Sequence, residues 1–205
     1  DSQSEKNVYA MADLVERGLV RAVGISNFPA PMMRRAHAFL AERGIPLASN
    51  QVKVSLLNRH IETNGILKAA YEMDVTLIAW SPLEMGILTG KFHQDPGLLR
   101  SRPPGRRLFL RARLERSRKL VAALEEIARA NGVTPAVVAL SWLVNFYGDT
   151  VVAIPGATKV SQVEQNVQAN ELRLTPREME RLDELSYRFR RLIPVHGRGC
   201  SRNTV

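Results

Sequence analysis

The stretch VRAVGISNF, residues 20–28, begins as an apolar run with β-branched residues and ends in two polar side chains, Ser26 and Asn27. Such a run is typical of a buried strand. Amphipathic helical patterns precede it at 5–18 and follow it at 31–43. A strand between two helices is the repeating unit of a parallel α/β sheet, and polar groups at the carboxyl end of a buried strand predict a ligand site there.

The same alternation continues along the chain. Further strands are predicted at 47–54, 75–80 and 151–154, and further helices at 66–73, 114–131, 135–146, 161–170 and 176–189. The connection between Glu84 and Leu110 is predicted to be irregular. Polar residues also follow the strands that end at Trp80 and Ile154, while Asn50 and Gln51 lie within a strand. This pattern favours the α/β class with a barrel site at the carboxyl face over an open sheet with a single switch point.

Composition narrows the class of protein further. The 205 residues are 45% hydrophobic, enough for a sizeable core. The single cysteine, Cys200, excludes an internal disulfide. No apolar run approaches the roughly 18 residues that span a bilayer, and the N-terminal stretch lacks a secretory pattern. We therefore expect a cytoplasmic protein without a membrane partner.

The net charge of +9 is concentrated in two stretches. Residues 100–119 hold nine Lys or Arg against Glu115, and residues 188–205 hold five Arg and no acid. We predict a mobile Pro/Gly loop at 100–107 and a basic, disordered tail at 191–205, beyond a single domain at 1–190. Aromatic residues do not interleave with these cations, which disfavours nucleic-acid binding and leaves contact with a polyanion as the alternative.

Five stretches in order resemble the aldo/keto reductase superfamily: VRAVGISNF, SNQVKVSLL, IAWSPLEMGILTGKF, VALSWLV and IPGATKVSQVEQN. The resemblance runs from about Val8 to Tyr187 and is nearest to the branch with bacterial oxidoreductases and potassium-channel beta subunits. It implies a (β/α)8 TIM barrel that binds NADP(H), of which this chain would supply the C-terminal half, strands five to eight, plus a C-terminal helix.

The resemblance also implies which residues bind the cofactor. Asn27 and Gln51, with Ser26 beside them, match the side chains that hold the nicotinamide carboxamide, and Trp80 matches the aromatic residue that stacks on the ring. The segment past the pyrophosphate corresponds to Ser81, Pro82, Leu83, Gly86, Leu88 and Lys91. The segment for the 2′-phosphate and adenine corresponds to Ile154, Pro155, Gly156, Ala157, Thr158, Lys159, Gln162, Gln165 and Asn166. Core packing is the alternative role for Trp80, and an ordinary loop position is the alternative for Lys91.

Two departures from the family pattern bear on cofactor preference. Gln162 stands where some relatives have Arg, and Gln165 stands where Glu is common. Loss of a bidentate phosphate partner leaves Lys159 as the source of a preference for NADP(H) over NAD(H).

The resemblance implies reduction of an aldehyde or ketone to an alcohol. The Tyr, Lys, Asp and His that perform this chemistry in the family lie on its first four strands, so we predict no catalytic residue and no metal site here. Tyr9, Tyr71, Tyr147 and Tyr187 fall on predicted helices. We expect the chain to supply the cofactor-binding half, to be inactive alone, and to pair with an N-terminal half or self-associate through uncovered sheet edges. A non-catalytic, nucleotide-binding regulatory module is the alternative function.

Overall fold

Four parallel strands form one sheet in the order β1-β2-β3-β4. The computed structural model describes residues 3–100 and 103–190. The strands are β1 (Val23–Ser26), β2 (Leu47–Lys53), β3 (Thr76–Trp80) and β4 (Val151–Ile154). Each strand is followed by helical structure before the next one, which confirms the predicted parallel βα units. The predicted tail at 191–205 lies outside the described residues.

Eight α-helices are described in this part of the chain. They are α1 (Gln3–Glu16), α2 (Ala30–Glu42), α3 (Ile66–Met73), α4 (Lys91–Gln94), α5 (Pro104–Ala130), α6 (Pro135–Phe146), α7 (Val160–Glu171) and α8 (Pro176–Ser186). The start of α8 shows why the sequence signature predicts a helix: the hydroxyl of Thr175 accepts from the amide of Glu178, whose carboxylate accepts from the amide of Thr175 at 2.7 Å. This reciprocal cap satisfies two amides at the start of the helix.

The connection after β3 is more ordered than the sequence indicates. We predicted an irregular segment over 84–110 and a mobile loop over 100–107, but α5 begins at Pro104 and continues for 27 residues. Proline suits the first turn because its missing amide proton has no helical partner there, and the buried side chains of Leu110 and Leu114 attach this part of the helix to the core. The prediction of a mobile loop over 100–107 is therefore wrong from Pro104 onward.

Helices cover only one face of the sheet. Val23, Ile25, Leu77 and Ala79 point to the covered face and are at most 8% exposed. Their neighbours along the strands point to the opposite face, and the row formed by Ser26, Gln51, Ile78 and Val152 is half-buried or exposed. Parallel sheets are usually covered on both sides, so the side chains of this open face are more exposed than is usual for such a sheet.

A buried arginine attaches the end of the described chain to the loop after β2. Arg59 is fully buried beside the stacked rings of Trp142 and Phe146, with its guanidinium carbon 4.8 Å from each ring centroid. It donates to Glu62 at 2.6 Å and to the hydroxyl of Ser186 at 2.6 Å. The amide of Arg59 also donates to the carbonyl of Phe189, in the short 3-10 segment Tyr187–Arg190 that follows α8. Local pairing with carboxylates compensates the burial of this cation.

Within the described residues, no single helix is long and apolar enough to cross a bilayer. Only α5 from Leu110 and α6 together pass such a test of length and composition, and they are bent by 99° relative to each other.

Candidate functional site at the carboxyl edge of the sheet

All four strands end at the same edge of the sheet, and this edge brings the predicted residues together. The register pairs Ser26 with Gln51 on β1 and β2. It also pairs Lys53 with Trp80, and Trp80 with Ile154, across β2, β3 and β4. Paired residues of adjacent strands have their side chains on the same face. Residues separated by more than 100 positions in the sequence thus form one continuous surface.

Asn27 is the centre of the hydrogen bonds at this edge. Its backbone is left-handed, with φ of 58°, which is uncommon outside glycine but tolerated by asparagine. Its amide donates to the carbonyl of Gln51 at 2.9 Å, and its Nδ2 donates to the hydroxyl of Ser26 at 3.1 Å. Its Oδ1 accepts from the indole Nε1 of Trp80 at 3.1 Å. The structure therefore brings Ser26, Asn27, Gln51 and Trp80 together at this edge.

The buried amide of Asn50 supports the turn that holds Asn27. Nδ2 of Asn50 donates to the carbonyl of Phe28 at 3.0 Å, and its Oδ1 accepts from the amide of Phe28 at 3.4 Å. Asn50 is fully buried, so its hydrogen bonds to these backbone groups replace those that its side chain would make with water. The two neighbouring amides of β2 consequently have different environments: Asn50 lies on the covered face, and Gln51 is half-buried on the open face.

Trp80 has its ring restrained from a second direction by a residue that the sequence analysis did not select. The ammonium of Lys53 lies 5.5 Å from the centroid of the ring and 3.0 Å from Oε2 of Glu84. Glu84 is fully buried, and Arg113 of α5 donates to the same oxygen at 2.7 Å. The position of Lys53 between Val52 and Val54 at the end of a strand was a signal, because a lysine among apolar neighbours needs a partner for its charge. No local pattern could have indicated Arg113, which is 60 positions from Lys53.

The loop after β3 has an unusual backbone. Three consecutive residues, Glu84, Met85 and Gly86, have positive φ of 49°, 55° and 91°. Ser81 is also left-handed, with φ of 54°. Consecutive backbone amides in such conformations form concave anion sites, although the amide of Gly86 already donates to the carbonyl of Leu83 at 3.0 Å. Strain of this kind is typical of ligand-binding loops.

Other predicted residues of this loop have different environments. Pro82 and Leu88 are buried, so any contact that they make with a ligand would use the backbone. Lys91 is exposed at the start of α4, and its ammonium lies 5.0 Å from the ring centroid of Phe92. The side chain of Lys91 also packs closely over Gly86, since a Cβ at Gly86 would lie 3.0 Å from Nζ of Lys91. Lys91 therefore places positive charge beside the left-handed turn.

The segment from Ile154 to α7 presents backbone amides at the N-terminus of a helix. Gly156, Ala157, Thr158 and Lys159 are exposed. Oε1 of Gln162 accepts from the amide of Thr158 at 2.7 Å and from the amide of Lys159 at 3.3 Å. A phosphate at this position would compete with the side chain of Gln162 for the same donors.

The remaining predicted positions complete this segment. Pro155, Gln165 and Asn166 are half-buried. Asn166 and Pro155 line a cavity of about 520 Å³ between α6, β4 and α7. Gln165 follows Gln162 by three positions on α7, which places both side chains on one side of the helix.

The four tyrosines lie on α1, on α3, directly after α6 and in the 3-10 segment after α8, and so outside the strands. Tyr147 is buried against the rings of α6 and donates to Glu62 at 2.5 Å. Burial, with the adjacent Glu62 carboxylate, raises the pKa of Tyr147 far above its usual range. Tyr71 lies on α3 and donates to the carbonyl of Tyr147. No group of three or more His, Cys, Asp or Glu side chains in the described ranges is arranged to hold a metal ion.

This arrangement can hold a flat, amide-bearing ring and a phosphorylated group on one surface. Asn27 and Gln51 provide side-chain amides, each with donor and acceptor capacity, beside the indole of Trp80. The left-handed loop and the start of α7 provide backbone amides and the cations Lys91 and Lys159. In the comparisons with known proteins, residues 1–187 match the model of the aldo/keto reductase family.

The chain belongs to the aldo/keto reductase family. This aldo/keto reductase chain is 37% identical over 174 residues to the chloroplastic pyridoxal reductase of Arabidopsis thaliana, covering 84% of the chain and 46% of that relative. It is 31% identical over 186 residues to an aldo-keto reductase of Schizosaccharomyces pombe whose name specifies NADP(+), covering 88% of the chain and 52% of the relative. The chain thus spans about half the length of these relatives.

A solved structure agrees with the sequence comparisons. The thermostable aldo-keto reductase Tm1743, solved in complex with the inhibitor epalrestat, superimposes with a TM-score of 0.66 at 30% sequence identity. The match covers 90% of this chain and 55% of that structure. The parallel α/β architecture of the described residues is therefore that of the family.

Proposed function

We propose that this chain forms the nicotinamide-binding half of an NADP(H)-dependent reductase that converts an aldehyde or ketone to an alcohol. The observation that carries the proposal is the hydrogen bond from Trp80 to Asn27, which holds an aromatic face beside two amides at the carboxyl edge of the sheet. NADPH, when bound, supplies the hydride for the reduction.

The residues of the open face fit a nicotinamide group. Asn27 and Gln51 bind the carboxamide, whose oxygen and nitrogen need a donor and an acceptor respectively. Trp80 offers its ring for offset stacking, worth roughly 1 kcal/mol beyond the area that it buries. The name of the Schizosaccharomyces pombe relative specifies NADP(+), which supports this class of cofactor.

The phosphate groups have candidate partners further along the same edge. The left-handed turn at Glu84–Gly86 and the neighbouring Lys91 bind the pyrophosphate, and Lys159 at the start of α7 binds the 2′-phosphate. Gln162 moves aside to release the amides of Thr158 and Lys159. We assign no general acid among the described residues, so the proton donor comes from the other half of the barrel.

Titration of the purified chain with NADPH, followed through the fluorescence of the cofactor, tests the proposal. We expect NADPH to bind with a micromolar dissociation constant. Asn27→Ala should weaken this binding about tenfold, because the indole of Trp80 and the carboxamide of the nicotinamide each lose a hydrogen-bonding partner. The matched control is Gln168→Ala, an exposed amide on α7. Binding no tighter than millimolar, or equal binding by Asn27→Ala and the wild type, would overturn the assignment.

Two further measurements address cofactor preference and activity. Lys159→Met should weaken NADPH binding about tenfold and leave NADH binding unchanged, because only NADPH carries the 2′-phosphate. The chain alone should bind NADPH without oxidising it when an aldehyde is added. Aldehyde-dependent loss of NADPH absorbance above the blank would contradict the claim that this half is inactive alone.

A further inference from the structure

Lys53 places a positive charge at the ring-binding part of the site. It is the last residue of β2, pairs with Trp80 in the register, and shares the open face with it. Its ammonium lies 5.5 Å from the centroid of the indole ring. The side chain is only 24% exposed, so water screens this charge less than that of a surface lysine.

The carboxylate beside Lys53 does not belong to Lys53 alone. Glu84 accepts from the hydroxyl of Ser55 at 2.9 Å, from Arg113 at 2.7 Å and from Lys53 at 3.0 Å. One buried carboxylate is thus shared between two cations. Sharing leaves part of the charge of Lys53 uncompensated toward Trp80, while the pairing fixes the position of the ammonium.

Glu84 has a strained backbone at the position where its carboxylate contacts Lys53 and Arg113. Its φ of 49° is left-handed, a conformation that is strained for a glutamate. The three hydrogen-bonding partners offset that strain because the fully buried carboxylate would otherwise be unpaired. Glu84 is therefore a positioning residue for Lys53.

We propose that Lys53 gives this site a preference for the reduced over the oxidised nicotinamide ring. This inference rests on the proposed function. The oxidised ring carries a positive charge and the reduced ring is neutral, so a nearby ammonium repels only the oxidised form. A ring stacked on Trp80 would lie within about 10 Å of Nζ, where Coulomb repulsion in a partly buried site corresponds to about a 3- to 10-fold difference in affinity.

Parallel titrations with NADPH and NADP+ test the proposal. In Lys53→Met, which keeps the length of the side chain and removes its charge, the ratio of the two dissociation constants should shift 3- to 10-fold toward the oxidised form. The matched control is Lys159→Met, since the 2′-phosphate is the same in both forms: both affinities should fall and their ratio should stay constant. Normal binding with an unchanged ratio in Lys53→Met would overturn the inference alone, whereas binding of neither form by the wild type would overturn the proposed function as well.

A second measurement needs no cofactor. Trp80 and Trp142 are the only tryptophans, and Trp142 is fully buried, so ionic quenchers report on Trp80. We expect iodide to quench the wild type more strongly than caesium does, and we expect Lys53→Met to reduce this difference at least twofold. Equal quenching of the two proteins by both ions would show that Lys53 exerts no field at the ring and would overturn the inference.

Discussion

The indole nitrogen of Trp80 donates to Oδ1 of Asn27 at 3.1 Å across the end of β2, joining two strands that are not neighbours in the sheet. Trp80 is the last residue of β3 and Asn27 directly follows β1, so the two residues are 53 positions apart in the sequence. The bond restrains the indole relative to the amide, and in the proposed function the two groups would contact the nicotinamide ring and its carboxamide.

Replacing Trp80 with Phe keeps an aromatic ring and removes this hydrogen bond. We expect the affinity for NADPH to fall about 2- to 10-fold, since a hydrogen bond contributes roughly 0.5–1.5 kcal/mol. A titration followed through the fluorescence of the cofactor measures this affinity. Tyr71→Phe is the control, because it removes a hydrogen bond to the carbonyl of Tyr147 away from this edge. Unchanged affinity in Trp80→Phe would show that the bond does not orient the ring.

The buried cation Arg59 should matter far more for stability than an exposed arginine. Arg59→Met leaves Glu62 and Asp183 without one of their partners, and we expect the free energy of unfolding to fall by about 3–5 kcal/mol. Arg181→Met breaks an exposed pair with Glu126 and should cost at most about 1 kcal/mol. Urea denaturation of both variants gives the comparison. Equal losses would contradict the role of Arg59 in holding the C-terminal segment.

His93 should make stability depend on pH. Burial lowers the pKa of His93 below its usual value of 6.5, although the carbonyl of Leu114 opposes the shift. In the folded state the ring stays neutral at a pH where the unfolded chain already binds a proton. The free energy of unfolding should therefore be unaffected above about pH 6.5 and fall as the pH decreases toward the folded pKa.

Urea midpoints at about pH 7.5 and about pH 5.5 measure this dependence. We expect a smaller decrease on acidification in His93→Gln than in the wild type. His37→Gln, a change on α2, should keep the wild-type decrease. A wild-type decrease in His93→Gln would assign the pH dependence to other groups.

Gly86 should resist substitution in a way that Gly105 does not. Gly86 has φ of +91°, and a Cβ there would lie 2.8 Å from Cε of Lys91. Since a lysine side chain can move, we expect backbone strain to dominate and Gly86→Ala to cost about 1–2 kcal/mol of unfolding free energy. Gly105 lies in the first turn of α5 with open space around it, so Gly105→Ala should stabilise by up to about 1 kcal/mol. Thermal or urea unfolding distinguishes the two, and a neutral Gly86→Ala would contradict the strain at this turn.

Much of the fold could be predicted because its determinants are local. The β-branched runs ending at Ser26 and Trp80, and the Thr175 cap, specify strands and a helix start through neighbouring residues alone. Local pattern failed at 104–110, where arginines, proline and glycine indicate a loop. The burial of Leu110 and Leu114 against the core stabilises a helix there, and this contact cannot be predicted from neighbouring residues alone.

The candidate site divides in the same way. Polar strand-end residues such as Asn27 could be placed at one edge from the sequence because parallel strands bring their carboxyl ends together. Gln51 and Trp80 were added as cofactor residues by the family resemblance. The shared carboxylate of Glu84 could not be found from the sequence, because it joins the end of β2, the loop after β3 and the middle of α5 through side-chain contacts of residues 29 or more positions apart. Sequence pattern thus determines which edge holds the site, whereas the charge that Lys53 presents beside Trp80 depends on tertiary contacts, since only folding brings Glu84 and Arg113 to that lysine.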